Sequence, residues 1–282
     1  MPLSYPDILS VRSEGGTASW VAKDAILYAL GVGMGADPLD ENELPFVYEK
    51  ALKPVPTMAA VLGWGAQVKP PGVNFLLLVD GERKLVFHKP LQTSGSAVVS
   101  SWITGAFDKG EGKGAVITAQ TDLTDAADGS LLISIMTSIF ARGDGGFGGP
   151  SEGQPAPHET PTRAPDRSVD IPTTANQALI YRLSGDYNPL HADPLVAKLA
   201  GFPRPILHGM CSYGITCRAV LQTYAGYDPA RFKSHEARFA APVFPGETIT
   251  VDLWRDDDVV SFEARVKARG VTVIKNGKTV LG

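Results

Sequence analysis

Cysteine is nearly absent. Two in 282 residues, Cys211 and Cys217, are too few for a disulfide scaffold. They lie six apart in one apolar stretch, and on a helix that spacing turns them to different faces. No bond between them is expected; both should pack as small apolar residues, which fits a reducing compartment. Long apolar runs are missing too. None reaches the roughly 18 residues that cross a bilayer. Residues 1–7 show no charged cluster leading into an apolar core, and the last three are not a Ser-Lys-Leu address. Neither membrane association nor a leader is therefore expected, and the location expected is cytoplasmic. Nor is there a basic stripe: 26 Lys and Arg stand against 30 Asp and Glu, for a net charge of −4. Nucleic acid is not an expected partner.

Glycine and proline, by contrast, are plentiful, at 30 and 22, in a chain that is 44% hydrophobic. This composition predicts a turn-rich soluble fold with much β-structure. The clearest break is residues 143–170, rich in Gly and Pro and poor in apolar side chains. It reads as a linker between a first unit, 1–142, and a second, 171–282.

In the first unit, residues 23–31 predict a short helix ended by Gly31, and 56–62 a second one opened by Pro56. Residues 96–107, 114–123 and 131–140 predict strands, the last two joined by a hairpin connection at 124–129. In the second unit an irregular polar segment, 184–193, leads to a short helix at 194–200. Residues 209–224 are apolar nearly all round, the mark of a buried helix. Strands are predicted at 247–254, 259–267 and 271–275, with Asn276-Gly277 as a turn after the last. Each unit thus reads as a helix followed by antiparallel strands that wrap it, a duplicated α+β arrangement.

The chemistry concentrates in Tyr181-Arg182-Leu183-Ser184-Gly185-Asp186-Tyr187-Asn188-Pro189-Leu190-His191 and in Ile206-Leu207-His208-Gly209. Asp186 and His191 stand five apart on a segment too rich in Gly and Pro for regular helix. Gly185, Asn188 and Pro189 favour a turned backbone, on which Asp186, Asn188 and His191 could converge. Gly209 stands where the buried helix begins. Its N–H would lack an intrahelical partner and lie at the positive end of the dipole.

These residues resemble the hydratase 2 signature of the MaoC-like dehydratase family. Further matches are Ile206-Leu207-His208-Gly209-Met210 and Arg238-Phe239 with Pro242-Val243-Phe244-Pro245-Gly246-Glu247-Thr248. The first unit is similar to the N-terminal part of two-domain hydratase 2 proteins, on residues 24–33, Phe46-Val47-Tyr48-Glu49 and Pro56-Thr57. The resemblance implies an α+β double hot-dog fold of two repeats, each an antiparallel sheet around a central helix. It implies (R)-specific, reversible hydration of trans-2-enoyl-CoA to (3R)-3-hydroxyacyl-CoA, with no metal and no cofactor beyond the coenzyme A of the substrate. It also implies a first repeat without the catalytic motif that makes room for the acyl chain; no Asp-x-Asn-Pro-x-His occurs in residues 1–142. A homodimer is expected.

Hydration of an enoyl thioester needs a proton taken from water, a proton delivered to C2 and a place for enolate charge. Asp186 and His191 can supply the proton transfers, worth typically ~10²–10⁴-fold, with either as base and the other as acid. Asn188 can hold the water, and the Gly209 N–H can meet the thioester oxygen. A thioesterase and a non-catalytic acyl-CoA-binding protein are the rival readings. His191-Ala192-Asp193 lacks further ligands for a metal. His208 reads as structural or substrate-lining, and Ser184 as backbone-capping. His88-Lys89-Pro90 departs from the histidine-glycine pair often found there. Arg269, Lys275 and Lys278 are either CoA-phosphate contacts or solvated surface.

Overall fold

The computed structural model describes residues 3–74 and 77–282; of the stretch read above as free of a leader, Met1 and Pro2 lie outside the described residues. The first half supplies β1 (Arg12–Trp20), β2 (Leu78–Phe87), β3 (Gly95–Asp108), β4 (Ala115–Asp125) and β5 (Leu131–Ala141), with inward apolar and outward polar side chains alternating most plainly in β3 and β4. The second half supplies β6 (Arg167–Pro172), β7 (Phe232–Phe239), β8 (Thr248–Asp256), β9 (Val259–Val266) and β10 (Val271–Leu281). All join one antiparallel sheet in the order β1-β3-β4-β5-β2-β7-β10-β9-β8-β6. Counted within its own half, each set of five runs first-third-fourth-fifth-second, so one topology occurs twice. The two copies meet where β2 pairs with β7, Lys84 opposite Glu236. This is the double hot-dog arrangement.

Three helices precede β2: α1 (Ala22–Gly31), α2 (Leu44–Val47) and α3 (Ala59–Leu62). Three more, α4 (Gln177–Tyr181), α5 (Pro194–Leu199) and α6 (Gly209–Thr223), lie between β6 and β7. Every residue of α6 from Met210 to Leu221 is buried, as an all-round apolar helix requires, and strands of its own half surround it. The equivalent place in the first half holds only α3, four residues between 3-10 turns at Pro56–Met58 and Trp64–Ala66. Gly63 ends it and lies close on the sheet, where a Cβ would stand 3.3 Å from Val99 Cγ1. The two central helices differ: one is long and one is broken.

α1 ends at Gly31, as expected; a Cβ there would come within 3.3 Å of Tyr181 Cα. The left-handed residue is Gly33 (φ 84°), with Gly33 N–H bonded to Leu30 and Met34 N–H to Ala29, the double bond of a Schellman stop. Asn276-Gly277 is no turn: β10 runs through it to Leu281, with a bulge and Asn276 at φ 55°. Finally, the segment read as linker is tied down. Asp108 accepts the N–H groups of Gly110, Gly146 and Gly148 at 2.8 Å each, and these bonds, Gly146 foremost, hold its carboxyl below the usual carboxylate range. His158 Nε2 meets Ser261 Oγ at 2.8 Å, Thr160 donates to Glu263 at 3.1 Å, and from Arg167 the chain is already β6.

The halves interlock at their helices. Gln177 Nε2 donates to Gly31 O at 2.6 Å, Cys211 Sγ donates to the same oxygen at 3.3 Å, and Gly214 of α6 faces Val32 and Tyr28. Both cysteines are free and buried in α6.

Candidate active site

The signature folds back on itself through its own polar groups. A 3-10 turn, Arg182–Ser184, follows α4 and ends at Gly185, whose φ of 125° favours glycine. Asp186 Oδ1 accepts the Asn188 N–H at 3.1 Å, and Asn188 Oδ1 accepts the Leu190 N–H at 3.0 Å. These two successive Asx turns, with Pro189 opening another 3-10 turn, deliver His191 beside Asp186. Asp193 then caps α5 through the Leu195 N–H, 2.8 Å away.

One carboxylate oxygen of Asp186 and one ring nitrogen each from His191 and His208 lie within 4.8 Å of one another. His191 Nδ1 is 2.9 Å from Ile206 O. A carbonyl only accepts, so the proton sits on Nδ1 and Nε2 keeps its lone pair. By the same logic His208 donates from Nε2 to the Asp186 main-chain oxygen at 3.2 Å, while its buried Nδ1 finds no partner among the described residues. The two imidazoles are stacked, with centroids 3.7 Å apart and planes 27° apart.

Burial pushes the His191 imidazole below its ordinary value of 6.5, against the opposing pull of the Ile206 bond and the Asp186 and Asp80 charges. Burial, and then the neighbouring His191, bring His208 down to about 4. Both rings are neutral at pH 7.

Gly209 opens α6 and is exposed at the end of an otherwise buried helix, where geometry leaves its N–H without an intrahelical acceptor. A Cβ on it would meet Phe239 Cδ1 at 3.3 Å. Asn188 spends its carboxamide oxygen on Leu190, so its Nδ2 is the group left for a ligand. Among the described residues Ser184 caps nothing: its Oγ is buried without a partner there. Arg269 is engaged by Glu247 at 2.6 Å and by Pro242 O at 2.7 Å, and His88 Nε2 sits 3.1 Å from Ser134 Oγ. His208, read from the sequence as structural or substrate-lining, stands directly before Gly209 and stacks on His191.

A cavity of about 210 Å³ adjoins Ser184 and Gly185 and is bounded from the first half by Trp20, Leu27, Tyr28, Met58 and Leu62. A larger one, about 470 Å³, lies on the outer face where β2 meets β7 and includes no residue of the signature. No helix among the described residues is long and apolar enough to cross a membrane.

Comparison with known proteins places the same residues in a wider set. A family profile described as a MaoC like domain matches residues 157–277, and one described as the MFE-2 hydratase 2 N-terminal domain matches residues 19–143. The enoyl-CoA hydratase ChsH3 of Mycobacterium tuberculosis is 41% identical over 91% of this chain and 91% of its own. The peroxisomal enoyl-CoA hydratase 2 of Arabidopsis thaliana is 36% identical over 89% of this chain and 87% of its own. Among solved structures, a MaoC-like dehydratase from Phytophthora capsici superposes with a TM-score of 0.87 at 33% identity, covering 98% of this chain and 96% of that one.

Proposed function

Because this chain belongs to the MaoC-like dehydratase family, as a double hot-dog hydratase 2, we propose that it hydrates trans-2-enoyl-CoA to (3R)-3-hydroxyacyl-CoA and catalyses the reverse dehydration. It is a hydro-lyase. The observation that supports the assignment of its site is the meeting of the Asp186 carboxylate and the His191 imidazole within 4.8 Å on one turn.

Water oxygen bonds to C3 while the C2=C3 electrons move onto the thioester oxygen. One water proton passes through the Asp186–His191 pair to C2, and the other stays on the new hydroxyl. The neutral Nε2 of His191 suits it to accept the proton first and return it as imidazolium, with the Asp186 charge beside it. Asn188 Nδ2 orients the water. The Gly209 N–H, at the positive end of α6, receives the enolate oxygen. An acid-base pair can make these proton transfers without a metal or a separate cofactor.

The first half takes the acyl chain. Its broken central helix and the cavity bounded by Trp20, Met58 and Leu62 support this role. Repeat boundaries at 1–142 and 171–282, a homodimeric state and a cytoplasmic location without membrane association complete the proposal.

Crotonyl-CoA provides the test. Hydration bleaches its enone absorbance without freeing thiol, hydrolysis frees thiol, and binding alone does neither. Asp186→Asn and His191→Ala are each expected to cut turnover at least ~100-fold with the circular dichroism spectrum unchanged. Near-wild-type rates in either variant would remove the assignment.

A further inference from the structure

His208 has no part in that scheme, yet no side chain has a closer ring-to-ring contact with His191 among the described residues. We propose that His208 is a positioning residue with two separable actions: its ring covers one face of the His191 imidazole, and its Nε2–H ties down the main-chain oxygen of Asp186. The proposal rests on the Asp186–His191 reading above.

The backbone of His208 is fixed by α6. Its carbonyl accepts the N–H groups of Cys211 at 3.1 Å and Ser212 at 3.2 Å, the first acceptor of a buried helix. Its side chain makes no cap bond to that helix and is left for other work. The ring is supported from behind by Tyr181, whose centroid is 5.0 Å away, and Tyr181 rests on Tyr28 of α1 at 5.8 Å. Tyr28, Tyr181, His208 and His191 therefore form a column of rings from the first half of the chain to the reacting imidazole. All four are buried. A ring held on both sides cannot rotate away, which is how a supporting shell keeps a reacting group in place.

The covering matters because of what else faces His191. The charged groups around the pair are Asp186 on the signature turn, Asp80 on β2 and Arg182 in the turn after α4. Both carboxylates favour the imidazolium. Water on the open face of the ring would favour it further, and would leave a larger share of His191 protonated before substrate arrives. A neutral imidazole stacked there keeps water out without adding charge, and offers a π face when His191 takes its proton. The hydrogen bond to Asp186 O acts on the other partner, since it anchors the residue whose carboxylate must meet the same water.

Two variants separate the actions. His208→Phe keeps the cover and loses the donor; His208→Ala loses both. The chain has five histidines, so the ring Cε1–H signal of His191 can be followed by NMR without reference to activity. In His208→Ala the His191 titration is expected to rise towards the ordinary ~6.5, and the acid limb of kcat/KM should move up with it. In His208→Phe the titration should stay at its wild-type position, while kcat at pH 8 falls by about tenfold as the Asp186 turn loosens. A residue that merely filled space would move neither reading. The cover is overturned if His191 titrates as in wild type in His208→Ala, or rises in His208→Phe; the second measurement decides even where the alanine variant does not fold. The tie is overturned if His208→Phe keeps wild-type kcat. An active Asp186→Asn would instead strike the hydratase site itself, a distinguishable result.

Discussion

Arg218 Nε donates to Glu43 Oε1 at 2.7 Å, joining the central helix of the second half to a loop of the first. The Glu43 side chain is 2% exposed and that of Arg218 11%, and the second Glu43 oxygen accepts the Gly35 N–H at 2.8 Å. With Gln177 bonded to Gly31 O, this pair fixes α1, and so the base of the ring column, against the elements that carry the signature. A buried ion pair adds little over a well-packed apolar pair, but breaking it strands a charge. Glu43→Ala is expected to cost about 3–5 kcal/mol in urea unfolding. The double variant Glu43→Leu with Arg218→Met should recover most of that loss. A single variant as stable as wild type would show that Arg218 finds water or another partner.

Gly209 separates folding from chemistry. A side chain there would press on the Phe239 ring, which can turn aside, so Gly209→Val should unfold close to the wild-type midpoint. Its branched Cβ would occupy the approach to the exposed N–H, and losing one such donor costs ~10²–10³ in rate. Steady-state rates with crotonyl-CoA check this; an unaffected kcat would mean the enolate oxygen is stabilised elsewhere.

The signature turn and α6 were legible because both are written locally. Asx residues, Gly185 and Pro189 dictate the turn, and an all-round apolar run can only be a buried helix. Strands β3, β4, β5, β8 and β9 were legible from their apolar content. Strand β1 was not, since most of Arg12–Trp20 is polar and only Ala18 and Trp20 are buried. In β7 the inward position between Phe232 and Ala237 is His235, which breaks the apolar alternation. The order of the glycine-rich segment was not legible for a different reason: Asp108, more than thirty residues upstream, ties it down, and composition does not reveal such a tie. At the site, the signature named Asp186, Asn188, His191 and Gly209, whereas the ring column depends on α1 packing against α4 and could not be read from spacing.

That buried His235 makes acid sensitivity a measurable property of the fold. It is 0% exposed, with Nδ1 2.7 Å from Thr279 Oγ1 and Nε2 3.1 Å from Thr216 Oγ1, and burial pushes it down to about 3. His208, at about 4, and His191 are depressed for the same first reason. An unfolded histidine takes up its proton near 6.5, so below that pH the unfolded chain binds protons that the folded one refuses. Stability is therefore full above pH 6.5 and falls as pH drops towards the folded values. Each such histidine contributes a slope of about 1.4 kcal/mol per pH unit once its unfolded form is protonated. Asp108, Glu247 and Asp252, held below the usual carboxylate range by their hydrogen bonds, keep their charge between pH 6 and 4.5. His235→Leu should lower stability at pH 7, because it leaves the buried Thr279 hydroxyl without its imidazole partner, yet reduce the acid slope by about one proton. Urea unfolding at pH 7, 6, 5 and 4.5 reads both quantities. An acid slope unchanged in His235→Leu would mean that His235 is already charged in the folded protein.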